Sequence, residues 1–313
     1  MSEPAAIYRR RRATALGALA ALLALAVLAA RSCGSDPGES ADAVAPAPAP
    51  QRAQLPGGGR RIFPDYRVVG FYGAPQHERL GILGIGTPAR AAAKLEQVAR
   101  KYERKTRPVL PAFELIATIA NAHPGDDGMY RTQQPAEIID RYLKGARRAK
   151  ALLLLDIQPG RADFRAEAER LQPWLLQPDV GLALDPEWSV VEGQVPGQQI
   201  GRITAEKVNE IAKWLSDLVV EHDLPEKLFV IHQFTHDMIA GKERVAKPPG
   251  LAVTMNVDGF GDRPNKISKY KDFTSGTARF HDGFKLFYEE DTNLMSPGAV
   301  LDLRPPPDLV VYE

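Results

Sequence analysis

A (β/α)8 barrel of the TIM type is the fold the sequence predicts, and three observations predict it. Eight short β-rich runs alternate with helical stretches over residues 62–313, as a parallel sheet with crossover helices requires. Within those runs polar residues recur two apart, hence on one face, and gather toward the C-terminal ends, where active sites of this fold lie. No clean glycine fingerprint follows the first run, although a doubly wound open sheet, the structural alternative, would normally carry one.

The chain divides in order. Residues 1–33 form an export-type segment: four arginines at 9–12, then 18 uncharged, Ala/Leu-dominated residues at 13–30. That run is long enough to anchor in a membrane, with the arginines on the inner side. Cys33 stands where a bacterial lipoprotein carries its lipidated cysteine, although Ala30-Arg31-Ser32 is a poor lead-in. Uncleaved anchor, lipoprotein and cleaved signal all remain open. Residues 34–61, with APAPAP at 45–50 and GGG at 57–59, read as a linker that cannot bury apolar area. The expected location is therefore extracytoplasmic, tethered to the cytoplasmic membrane through the N-terminal segment or secreted.

The barrel domain is expected at 62–313. Its strands are YRVVGFYG (66–73), PVLPAFELIA (108–117), ALLLLDIQ (151–158), VGLALDPE (180–187), LFVIHQFT (228–235), LAVTMNVDGF (251–260), DGFKLFYEE (282–290) and DLVVYE (308–313). Thr87-Pro88 opens a helix toward Lys105, a capping residue followed by proline at the first helical position. Further helices are expected at 135–149, 162–177 with a kink at Pro173, 204–222, and after Ser296-Pro297; weaker helical stretches lie around 237–246 and 264–275. GILGIGTP (81–88) matches no phosphate-loop spacing and reads as a mobile first loop.

Alternation places Glu114, the pair Asp156 and Gln158, the pair Asp185 and Glu187, His232, the set Thr254, Asn256 and Asp258, and the pair Lys285 and Glu289 on the inner face. Leu155, Ile157, Leu184, Ile231, Val253, Met255, Val257 and Leu286 fall on the other face and suit packing against helices. A strand facing only core should be continuously apolar, and burying this many charges without partners would cost several kcal/mol each. The pattern points to a polar pocket.

A pocket rich in carboxylates suits glycoside hydrolysis, which needs one protonated and one ionised carboxyl group. Glu187 is the expected acid, Asp185 its electrostatic partner, and Asp156, Asp258 or Glu289 the second carboxylate. Gln158, His232 and Asn256 would orient substrate hydroxyls, with Glu114, Lys285, Tyr72 and Trp188 also facing the sugar. Carboxylates plus His232 could instead hold Mg²⁺ or Ca²⁺ for metal-dependent hydrolysis, although no metal and no cofactor is expected. Lys285 could form a Schiff base but reads better as ion-paired. A barrel that binds carbohydrate without turning it over is the non-enzymatic alternative. A net charge of +1 and the lack of basic residues alternating with aromatics along a strand face give nucleic-acid binding no support. The single cysteine excludes a disulfide framework, and no Gly-x-Ser-x-Gly elbow is present.

Asp185-Pro186-Glu187 at the end of the fourth strand resembles the Asp-x-Glu signature of chitinase-type glycosidases, whose further upstream aspartates are replaced here by Ala183 and Val180. More broadly, LLLDIQPG, LALDPEW, NVDGFG, GFKLFYEED and LRPPPDLVVYE resemble segments of an uncharacterised family of exported bacterial proteins with a glycosidase-like barrel. The resemblance covers 66–313 and implies the barrel, with no established activity; the carboxylate pocket itself makes a carbohydrate or cell-wall polymer the expected partner.

Overall fold

The computed structural model describes residues 52–276 and 280–313; the export segment and most of the expected linker lie outside them. Eight strands form the sheet: β1 (Arg67–Gly73), β2 (Val109–Ala120), β3 (Leu152–Ile157), β4 (Val180–Leu184), β5 (Lys227–Gln233), β6 (Leu251–Val257), β7 (His281–Leu286) and β8 (Leu309–Tyr312). Each pairs in parallel with the next, and β8 pairs in parallel with β1, which closes the barrel. The fold is the expected (β/α)8 type. A three-residue strand, Arg131–Gln133, adds antiparallel to the end of β2.

The crossover helices begin where side chains replace missing backbone acceptors. Thr87 accepts from the Arg90 amide at the start of α1 (Pro88–Ala99), ahead of α2 (Ala136–Arg148). Asp163 accepts from Arg165 and Ala166 before α3 (Phe164–Arg170). The helix expected over 162–177 is two helices, because Pro173 opens a separate short one, α4 (Gln172–Leu175), instead of kinking the first. Thr204, Asp262 and Ser296 cap α5 (Ala205–Glu221), α6 (Arg263–Thr274) and α7 (Pro297–Leu301). No helix forms at 237–246. That stretch holds the short strand Ile239–Ala240, paired with Ile203–Thr204, and a single 3-10 turn entered through Gly241 at φ 71°. Among the described residues no helix is long and apolar enough to cross a membrane.

Period-two alternation sorts the strand residues into two cores. Val68, Leu110, Leu154, Ala183, Val230 and Val311 fill the barrel interior. Phe113, Leu155, Leu184, Ile231, Met255 and Leu286 face the helices. Two expectations are corrected here. Residues 52–61 are not a free linker: Leu55 is buried with Ile62 and Phe63 in the interior cluster, and Arg60 donates to the carbonyl of Leu224. This segment plugs the N-terminal end of the barrel. GILGIGTP is a packed loop, with Ile82 and Leu83 buried and the Tyr142 hydroxyl donating to the Leu83 carbonyl at 2.5 Å.

Close strand approach fixes one position. A methyl group on Gly181 would lie 2.5 Å from the Leu228 carbonyl oxygen and 2.6 Å from Leu154 Cδ2. Gly181→Ala is therefore expected to destabilise the domain by about 1–3 kcal/mol through overpacking, read as a lower urea midpoint with unchanged slope.

Candidate active site

The inner-face residues at the C-terminal ends of the strands build a site in three levels. The deepest is a fully buried floor of Glu114 (β2), Asp156 (β3), His232 (β5) and Asn256 (β6), each at most 1% exposed. His232 is suspended between two carboxylates. Its Nε2 lies 2.8 Å from Glu114 Oε1 and its Nδ1 2.8 Å from Asp258 Oδ2. Burial opposes a charge on the ring, but Glu114 and Asp258 outweigh it and hold its pKa well above the usual histidine value. Asp156 moves the other way: burial, reinforced by the charge of Asp185, raises its carboxyl well above the usual range.

Above the floor opens a cavity of about 440 Å³. Tyr72, at the end of β1, lines it and ties the two levels together. Its hydroxyl donates to Asp156 Oδ2 at 3.1 Å and accepts from Gln158 Nε2 at 3.0 Å. Lys285 (β7) donates to Asp258 Oδ2 at 3.1 Å, pairs with Glu313 Oε2 at 2.7 Å, and sits 3.8 Å above the Tyr72 ring. Burial would discharge this amine, but Asp258 and Glu313 hold its pKa above the usual lysine range. A doubly paired ammonium has no free lone pair, which disfavours the Schiff-base role. Asp258 receives a third bond, from the Gly259 amide at 2.6 Å. Although burial pushes it upward, Lys285 and His232 hold its carboxyl well below the ordinary range.

The third level is the rim. β4 ends at Leu184, and Pro186–Trp188 form a 3-10 turn, so Glu187 reaches the cavity from a turn and not from an extended strand. Asp185 accepts from the Trp188 indole at 3.0 Å. The Glu187 carbonyl accepts from the Gly201 amide at 2.6 Å, but its side-chain carboxyl has no hydrogen-bond or ion-pair partner among the described residues. Burial foremost, with the charge of Asp258 next, pushes its pKa up to about 7; burial does the same to Asp185, also to about 7. Phe260, 65% exposed, lines the same mouth with Phe234 and Phe287.

Of the residues expected in the site, Tyr72, Gln158, Asp185, Glu187, Trp188, Asp258 and Lys285 line the cavity. Glu114, Asp156, His232 and Asn256 are buried and do not line it, so of the three residues expected to orient hydroxyls only Gln158 faces the cavity. Glu289 is a correction. β7 ends at Leu286, and the chain turns where Asp291 accepts from the Phe287 amide. Alternation stops there; Glu289 is exposed on an adjoining hollow, and Glu290 reaches the cavity instead. Glu313 was not anticipated, although the same alternation from Leu309 through Val311 points to it. Arg79 and Lys269 at the rim come from loop and helix and carry no strand pattern.

The class these features define is a parallel eight-stranded barrel with an ionised cavity at its C-terminal mouth. No protein-family model matches the chain, and a search of curated proteins gives no match. Among solved structures, the wild-type sialic acid aldolase of Ruminococcus gnavus aligns with a TM-score of 0.40 and 11% identity, over 79% of this chain and 68% of that one.

Glu187 makes stability depend on pH. With its folded pKa raised from 4.5 to about 7, the folded chain binds more protons than the unfolded chain across that window. Stability therefore falls as pH rises through it, and the loss persists above it. Glu187→Gln is expected to stabilise the protein by roughly 1–3 kcal/mol at pH 8 and to change little at pH 4. Urea denaturation at both pH values measures this; an equal effect at both would contradict the assignment.

Proposed function

We propose that the protein is a glycoside hydrolase acting on a carbohydrate polymer, with Glu187 as general acid and Asp258 as the ionised carboxylate. One observation carries the reading: two carboxyl groups lining one cavity are held in opposite states, one by its partners and the other by burial. Asp258 is clamped by Lys285, His232 and the Gly259 amide, while Glu187 is unpaired and raised to about 7. Separated acid and base of this kind are what glycosidic cleavage requires. Glu187 would donate its proton to the leaving oxygen as the bond breaks. Asp258, as nucleophile or base, would face the positive charge that develops on the sugar. Trp188, Phe234 and Phe260 supply flat apolar surfaces for a pyranose, and Asp185 and Gln158 supply hydrogen-bonding groups. The cavity volume, about 440 Å³, falls in the range of about 300–1,000 Å³ typical of small-ligand sites. An extracytoplasmic, membrane-tethered location, supported by the sequence of 1–33, would bring such an enzyme to cell-wall polymers.

The test is reducing-end release from a panel of cell-wall and storage polysaccharides. Turnover is expected on at least one polymer and should decline above about pH 7, as Glu187 ionises. Glu187→Gln should lower kcat by about 10²–10⁴-fold with KM little changed. Full turnover in Glu187→Gln would overturn the acid assignment. Retention of one polymer without turnover by wild type would identify a binding barrel.

A further inference from the structure

Apart from the His232 ring that clamps Asp258, the floor beneath the cavity is not used by the chemistry above, and its acceptors are not all satisfied. Glu114 Oε2, Asp156 Oδ1 and Asn256 Oδ1 are buried without a hydrogen-bond partner among the described residues. Neither Glu114 nor Asp156 is paired with a lysine or arginine there. Among the described residues the Glu114 side chain hydrogen-bonds only to His232, and the Asp156 side chain only to the Tyr72 hydroxyl. Two carboxylates with no exposed surface are costly to keep ionised unless a positive charge lies between them.

We propose that Glu114, Asp156 and His232 form a binding site for one divalent transition-metal ion, of the Zn²⁺ or Mn²⁺ class. One ligand atom from each lies within 4.8 Å of the others. Ligands about 2.1 Å from a common ion stand roughly 3–4 Å apart, so small side-chain adjustments would close the set. His232 Nε2 and Glu114 Oε1, 2.8 Å apart, need separate by only a few tenths of an ångström to stand as adjacent ligands. The surroundings are those of a metal-bound histidine. Nε2 points to the carboxylates, and Nδ1 faces Asp258 at 2.8 Å, a carboxylate that would fix the ring and its tautomer. Tyr72 donates to Asp156 Oδ2 and leaves Oδ1 free to ligate. One imidazole nitrogen with two carboxylates favours a transition ion over Mg²⁺ or Ca²⁺, which take oxygen ligands throughout. The ion would lie below the cavity, apart from Glu187, so the site stands whether or not the barrel hydrolyses a glycoside.

The test uses the full chain, stripped with chelator, dialysed and titrated with ZnCl₂ or MnCl₂ alone in a calorimeter. One ion per chain and a raised Tm are expected. Asp156→Asn and Glu114→Gln should weaken binding by about 10²-fold or more, while Glu289→Gln, at an exposed residue, should bind as wild type does. Co²⁺ loaded into the wild type should give d–d bands of mixed nitrogen and oxygen coordination, which decides the matter even where a floor variant does not fold. No binding by folded wild type up to about 1 mM ion would overturn the site and leave protons as the floor's only counter-charge, as would binding indifferent to both substitutions.

Discussion

The arrangement at the mouth of the barrel depends on one buried charge, the carboxylate of Asp258. Its Oδ2 is shared by Lys285 and His232, and its Oδ1 takes the Gly259 amide. Through Lys285 the connection runs to Glu313 beyond β8, and through His232 to Glu114 on β2. Groups from both sides of the β8–β1 closure are thus tied to a single anion. Such a network adds little net stability over a well-packed apolar interior, because each ion loses its water. Removing one member is another matter: it leaves an uncompensated charge, at a cost of about 3–5 kcal/mol. The network therefore specifies one arrangement of the strand ends more than it holds the barrel closed.

Closure comes from beneath. The interior below the ionised level is apolar, from Val68, Leu110, Leu154 and Val311 down to Leu55, Ile62 and Phe63 at the N-terminal end. Small residues let the strands approach both there and at the floor: a methyl on Gly181 would meet the Leu228 carbonyl at 2.5 Å, and one on Gly283 would meet Asn256 Oδ1 at 2.7 Å. This dry layer shuts water out from below, so the floor exchanges with solvent only through the cavity. Low polarisability on that side strengthens each interaction among the charges. The apolar half of the barrel thereby sets the electrostatics of the polar half.

Legibility in the sequence follows the same boundary. All eight strands, and the inward faces of Glu114, Asp156, His232, Asn256 and Lys285, could be read because these residues sit inside extended runs where alternation is enforced. Reading failed where strands end. Glu289 was assigned inward by carrying the alternation past Leu286, where the chain turns. Glu187 reached the cavity for a different reason, a 3-10 turn at Pro186. Residues 52–61 looked like linker because Gly, Pro and Arg dominate them. Leu55 buried in the interior, and Arg60 bonded to Asp223 and to the Leu224 carbonyl, dock that segment. Neither partner could be inferred from local composition.

The level division within the site also separates two ways of satisfying buried acids. At the rim, Glu187 and Asp185 are raised toward neutrality because water is scarce and Asp258 is already charged, so a proton is the cheapest counter-ion. Asp258 itself is satisfied by fixed cations and an amide. On the floor, among the described residues, Glu114 bonds to the His232 ring and Asp156 to the Tyr72 phenol, and one oxygen of each carboxyl group meets no partner. A proton at the rim can leave when a substrate oxygen approaches, which is what acid catalysis would use. A counter-charge on the floor lies beneath the cavity lining and would hold Glu114, Asp156 and the His232 ring in place. The geometry of His232 in turn positions Asp258, so whatever neutralises the floor governs the anion on which the rim depends.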